Sequence, residues 1–273
     1  MNKRFQQSIE NGKRPLFIPF ITAGDPSGEA TVDIAVTLQE AGANAIEIGI
    51  PYSDPLADGK VIQAASGRAL DGGMTLKKAM ELVPEMRKKG VEIPIIVFTY
   101  YNLLLQLGED QFFQLAEDCG VDGLLVPDLP FEESEDLFMT AKSFNLPLIS
   151  LVAPTTSSER LKKIVSNAAG FVYCVSSLGV TGVREGEFKP EVYEFLAEVK
   201  KYSRVPVAVG FGISSAGQIE KLRNHCDGVI VGSAIVREIS NLENELRNRD
   251  SRSQALERLK EYLLSLTGRT MTI

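Results

Sequence analysis

The chain has 273 residues, 44% hydrophobic and 24% charged, with a formal net charge of −7. That balance supports a substantial core and supplies no basic stretch of the kind that grips nucleic acid. No apolar run approaches the ~20 residues of a membrane span, and the single histidine, His225, excludes a His-rich metal site and a His-based triad.

In chain order, residues 2–11 read as a short helix positioned to plug the bottom of a barrel. Candidate strands follow at 16–21, 44–50, 95–100, 123–126, 148–151, 171–175, 207–209 and 228–231. Amphipathic helices are predicted between them at 29–40, 76–89, 110–118, 132–144, 159–166, 191–200 and 216–224, and two more, 234–249 and 253–266, close the chain. Ser27, and the pair Ser157-Ser158, are helix-start signals. Eight strands alternating with helices predict an α/β fold, a (β/α)8 TIM barrel, with residues 1–273 as a single domain. A doubly wound open sheet is the alternative. Its glycine fingerprint is missing from the first turn, which reads Ile21-Thr22-Ala23-Gly24-Asp25-Pro26.

The segment before residue 14 is polar and lacks the apolar core of a signal peptide. Cys119, Cys174 and Cys226 are far apart, odd in number and form no CxxC pair. They read as buried thiols in a reducing cytoplasm.

In such a barrel, chemistry sits at the C-terminal ends of the strands. Residues 44–50 alternate, with Ile46, Ile48 and Ile50 on one face and Ala45, Glu47 and Gly49 on the other. A carboxylate between Ala and Gly serves no packing purpose, because burying its charge costs several kcal/mol or forces it to keep its proton. Gly210–Ser214 and Gly232-Ser233 each follow a strand and precede a helix. Glycine backbone and helix N-terminal donors together make a phosphate cradle from Gly212, Gly232 and Ser233, with Gly182 as a further donor. Asp58, in Ala57-Asp58-Gly59, reads alone as a turn residue. Tyr173 reads equally as an assisting group or as barrel packing, and Asp128 as a lid or partner anchor or as the cap of a helix near Glu132.

Glu47-Ile48-Gly49-Ile50-Pro51-Tyr52-Ser53-Asp54-Pro55-Leu56-Ala57-Asp58-Gly59 resembles the signature of the tryptophan synthase alpha subunit family. Phe20 to Pro26, Val126 to Pro130, Tyr173 to Gly182, Gly210 to Ile213 and Gly232 to Ala234 are similar to other stretches of that family, so the resemblance covers nearly the whole chain. Phe98 and Leu103 depart from it, where Met and Pro are frequent.

The resemblance implies retro-aldol cleavage of indole-3-glycerol phosphate to indole and glyceraldehyde 3-phosphate. It implies Glu47 as acid–base, Asp58 as the carboxylate at the indole N–H, and Tyr173 as an assisting group. Thr181 would hydrogen-bond Asp58 from a closing lid, and a short helix after strand 8 would complete the phosphate site. Phe20, Tyr100 and Phe211, with nearby aliphatics, would line the indole pocket. No metal or cofactor is expected in this chain. A pyridoxal-phosphate (PLP) beta subunit is the expected partner, in an alpha2-beta2 tetramer, docking on loops around residues 52–55, 101–105 and 128–131. A stand-alone indole-glycerol-phosphate lyase, a non-catalytic phosphate-binding barrel and a related phosphate-barrel isomerase or synthase are the alternatives.

Overall fold

The computed structural model describes residues 3–10, 12, 14–175, 188–210 and 212–269. Its strands are β1 (Leu16–Thr22), β2 (Ile46–Gly49), β3 (Ile95–Phe98), β4 (Gly123–Leu125), β5 (Ser150–Val152), β6 (Val172–Val175), β7 (Val207–Gly210) and β8 (Gly228–Val231). All pair in parallel, in the order β4-β3-β2-β1-β8-β7-β6-β5. The two ends of that order meet. Leu124 bridges Leu148, with the Leu124 N–H donating to Pro147 O at 2.9 Å and the Ile149 N–H to Leu124 O at 2.8 Å. The sheet thus closes into the expected (β/α)8 barrel. The closing bonds fall before β5, so the predicted strand at 148–151 divides into a bridge and a strand starting at Ser150.

Both faces of such a sheet are covered, and the strand sequences are accordingly apolar throughout. Phe17, Ile21, Ile46, Ile48, Val97, Leu124, Val209 and Val229 pack outward against the helices. Leu16, Ile18, Phe20, Ala45, Ile96, Leu125, Ile149, Phe171, Ala208 and Ile230 fill the barrel. Phe5 and Ile9, from the short helical segments Lys3–Phe5 and Gln6–Glu10, belong to the inner cluster. Phe5 fits tightly: a Cβ on Gly123 would lie 3.2 Å from its ring, and one on Gly170 3.0 Å away. The segment therefore plugs the barrel.

Two helices escape the sequence reading. Lys60–Asp71 buries only Ile62, Ala65, Ser66 and Ala69, small groups that make a faint apolar stripe. Tyr101–Leu107 is two turns long and stops at Gly108, φ 92°. The predicted helix 234–249 is two helices, Ser233–Asn241 and Glu243–Arg247. The last helix begins earlier than predicted, at Arg249, because Asn248 Oδ1 accepts from the Asp250 N–H at 3.0 Å. Ser27 caps Gly28–Glu40 by accepting from the Ala30 N–H, whereas Ser157 holds the cap position of Ser158–Ser166 without that bond. The three thiols are buried, and His225 is exposed beside the Tyr193 ring.

Side chains at the barrel bottom fix the strand starts. Asn44, Asp122 and Asp227 each precede one strand and accept an N–H at the start of the strand before it. The bonds are Phe17 N to Asn44 Oδ1, Ile95 N to Asp122 Oδ2 and Val207 N to Asp227 Oδ2, all 2.9 Å. Buried Asp122 also pairs with Arg4 at 3.0 Å and with Arg87, which links plug, helix Leu76–Lys88 and β3. Removing one partner of a buried pair leaves the other charge uncompensated. Asp122→Ala should therefore lower stability by ~3–5 kcal/mol. Denaturant unfolding checks this, and a loss below ~1 kcal/mol would show that the pair does little.

Candidate active site

At the C-terminal end of the barrel a cavity is lined by Phe20, Glu47, Asp58, Ile62, Phe98, Tyr173, Gly212, Ile213, Ile230, Gly232 and Ser233. β1 and β2 are in register at Phe20 and Glu47, so the phenyl ring and the carboxyl share one level of the barrel. Phe20 and Phe98 meet edge to face, with ring centroids 5.5 Å apart.

Two glycines make room for the rings. A Cβ on Gly49 would lie 2.3 Å from Phe20 Cζ, and one on Gly210 2.2 Å from Tyr173 Oη. Any larger residue at either position must displace an aromatic wall of the cavity.

Glu47 is 1% exposed, and neither carboxyl oxygen has a hydrogen-bond partner among the described residues. Burial disfavours the charged form and raises its pKa from 4.5 to about 8. The acid therefore keeps its proton near neutral pH. Tyr173 is buried close enough to feel that carboxyl. Desolvation first, and the Glu47 charge second, hold its phenol well above the usual range.

Asp58 is 7% exposed and lies one residue before Gly59, the N-cap of Lys60–Asp71. Burial raises its pKa, and a hydrogen bond from Tyr100 lowers it. The Tyr100 hydroxyl donates to Asp58 Oδ2 at 3.1 Å and accepts from the Ala57 N–H at 3.0 Å. The sequence reading puts Tyr100 in the pocket wall. The structure puts its hydroxyl on Asp58, and Ile62, Ile213 and Ile230 line the cavity. Ile62 belongs to the overlooked helix, which is why sequence reasoning missed it.

Gly212, φ 81°, needs a residue without a Cβ. Gly232 and Ser233 open the helix Ser233–Asn241, whose first N–H groups have no intrahelical acceptor. These three line the same cavity as Phe20, Phe98 and Tyr173. Phe211, Thr181 and Gly182 lie outside the described residues. Asp128 does not cap the helix near Glu132, where Pro130 and Ser134 hold the cap positions. Both its oxygens accept from the Tyr101 N–H, at 3.0 and 3.2 Å, so it holds the start of Tyr101–Leu107 across space. Among the described residues, no cluster of His, Cys, Asp or Glu is arranged to bind a metal.

The tryptophan synthase alpha chain family matches residues 5–264. The chain belongs to that family. An alpha chain from Geobacillus kaustophilus is 60% identical over 255 residues, covering 93% of this chain and 94% of the relative. One from Halalkalibacterium halodurans is 59% identical over 260 residues, covering 95% and 97%. A solved structure of the tryptophan synthase alpha2-beta2 complex from Pyrococcus furiosus aligns with a TM-score of 0.83 at 38% identity, covering 93% of this chain and 98% of that one.

The raised Glu47 pKa has a cost in stability that grows with pH. Because the folded-state pKa of about 8 exceeds the ordinary 4.5, the unfolded chain releases this proton first. The Glu47 contribution is whole below the lower value and is lost as pH rises to the upper one. Glu47→Gln should therefore be increasingly more stable than wild type from about pH 5 to about pH 8, by an amount on the order of a few kcal/mol at the upper end. Melting curves of both proteins across that range test it. A pH-independent gap would mean that Glu47 titrates normally.

Proposed function

We propose that this member of the alpha chain family cleaves indole-3-glycerol phosphate to indole and glyceraldehyde 3-phosphate, with Glu47 as acid–base. The observation that carries this reading is a neutral, fully buried carboxyl in a cavity with an aromatic side, a second carboxylate and a glycine-rich helix start. The substrate has the matching parts: an indole ring, a hydroxylated chain and a phosphate.

In this mechanism Glu47 gives its proton to indole C3. Positive charge develops at the ring nitrogen, where Asp58 stabilises it. The carboxylate of Glu47 then takes the proton of the hydroxyl next to the breaking bond. The bond electrons return to the ring, the hydroxyl carbon becomes an aldehyde, and Glu47 regains its proton. Phe20 and Phe98 hold the indole, Tyr173 stands beside Glu47, and Gly212, Gly232 and Ser233 receive the phosphate. Thr181 and Gly182, from the loop after β6, complete this assignment as lid and phosphate contacts. Phe211, beside Gly212, completes the indole wall.

The proposed partner is a beta subunit that carries pyridoxal phosphate and condenses indole with serine, in an alpha2-beta2 tetramer. Leu56 is 77% exposed in the loop before Asp58, and Leu105 is 51% exposed on the helix Tyr101–Leu107 that follows Tyr100. Large exposed apolar side chains on neighbouring segments suit a docking surface. The chain itself is proposed to need no cofactor and to work as a single domain. A reducing cytoplasm, suited to three buried thiols, is its proposed compartment.

Purified protein should cleave indole-3-glycerol phosphate slowly, and faster when a beta subunit is added. Glu47→Gln and Asp58→Asn should each lower kcat by ~10²- to 10⁴-fold. Fast turnover that ignores the beta subunit would favour a stand-alone lyase. Absence of turnover in every condition would leave a phosphate-binding barrel.

A further inference from the structure

Tyr100 lies at the end of β3, 2% exposed, yet it is not among the residues that line the cavity. Its hydroxyl is committed twice: it donates to Asp58 Oδ2 and accepts from the Ala57 N–H. One phenol therefore fixes both the side chain at 58 and the backbone before it. The Tyr52 ring packs against it, centroids 5.1 Å apart, and the Tyr52 hydroxyl accepts from Asn102 Nδ2 at 3.0 Å. The loop after β2 is thereby braced on the loop after β3. Asp58 Oδ1 makes no hydrogen bond among the described residues, and Asp58 lines the cavity.

We propose that Tyr100 is the positioning residue of Asp58, holding one carboxylate oxygen and the adjacent backbone so that the other oxygen is aimed at the ring nitrogen of the substrate. This rests on the reading of Asp58 given above. Tyr100 then acts through Asp58 and touches no substrate.

A donor on a carboxylate favours its charged form. The groups around Asp58 are Tyr100 from the end of β3, Glu47 from β2 and Tyr173 from β6, with Asp128 acting on Tyr100 from the loop after β4 and Lys60 next on its own helix. Among the described residues, only Tyr100 donates to its carboxylate. Glu47 must be protonated to act and sets the alkaline limb of the rate profile. Asp58 must be ionised and sets the acid limb.

The experiment is the pH profile of indole-3-glycerol phosphate cleavage, with beta subunit present, for wild type, Tyr100→Phe and Asp58→Asn. Tyr100→Phe keeps the ring and loses the donor. Its acid limb should move up by about one pH unit, giving a roughly tenfold lower kcat on that limb. KM and the alkaline limb should stay within about twofold, since no hydrogen bond links the Glu47 carboxyl to Tyr100. A uniform loss at all pH values, or a rise in KM alone, would overturn the proposal and make Tyr100 packing or pocket wall. If Tyr100→Phe fails to fold, 3-fluorotyrosine placed at 100 alone is the second probe. As a stronger donor it should move the acid limb down, and an unmoved limb overturns the proposal. A wild-type rate in Asp58→Asn would instead overturn the role of Asp58 itself.

Discussion

A parallel barrel covers both faces of every strand, so a carboxyl on an inner face has neither water nor counter-charge to hold its proton off. Glu47 occupies such a place. Its neighbours along β2 on that face are Ala45 and Gly49, and its neighbours across the barrel are aromatic and aliphatic. The rest of the site follows from that one constraint. The fold retains a group that burial penalises, and the penalty is what keeps the group an acid near neutral pH. Gly49 and Gly210 are small so that Phe20 and Tyr173 can crowd in and keep water away.

The second carboxylate is handled differently. Asp58 is also buried, but it comes from a loop and is given a donor. Burial raises both carboxyls, and at Asp58 a phenol works against that rise while at Glu47 nothing does. Unequal surroundings of this kind divide the roles of proton donor and fixed negative charge between like groups. The loop geometry that permits it depends on bracing the loop after β2, which carries the exposed Leu56, on the segment after β3, whose helix carries the exposed Leu105.

Much of this was legible in the chain. The alternation of Ile46, Ile48 and Ile50 with Ala45, Glu47 and Gly49 pointed to a carboxyl on the inner face, because strand periodicity is two and the barrel has only two sides. The glycine runs at 210–214 and 232–233 sat where helix starts meet strand ends. The helix Lys60–Asp71 was not legible, since one isoleucine, two alanines and a serine make its buried face and its stability comes from packing. Tyr100 was legible as an aromatic near the site but not as a partner of Asp58. The two are 42 positions apart, and nothing in either segment specifies that the loops after β2 and β3 lean together.

The sequence by itself determined the barrel, its order of strands and which strand faces are apolar, since periodicity and turn chemistry are local properties of the chain. Tertiary structure alone decided the acidity of Glu47, the partner of Asp58 and the use of Asp128 to hold Tyr101 rather than its own helix. Those depend on distances between segments and on the exclusion of water. Neither exists until the sheet has closed at Leu124 and Leu148.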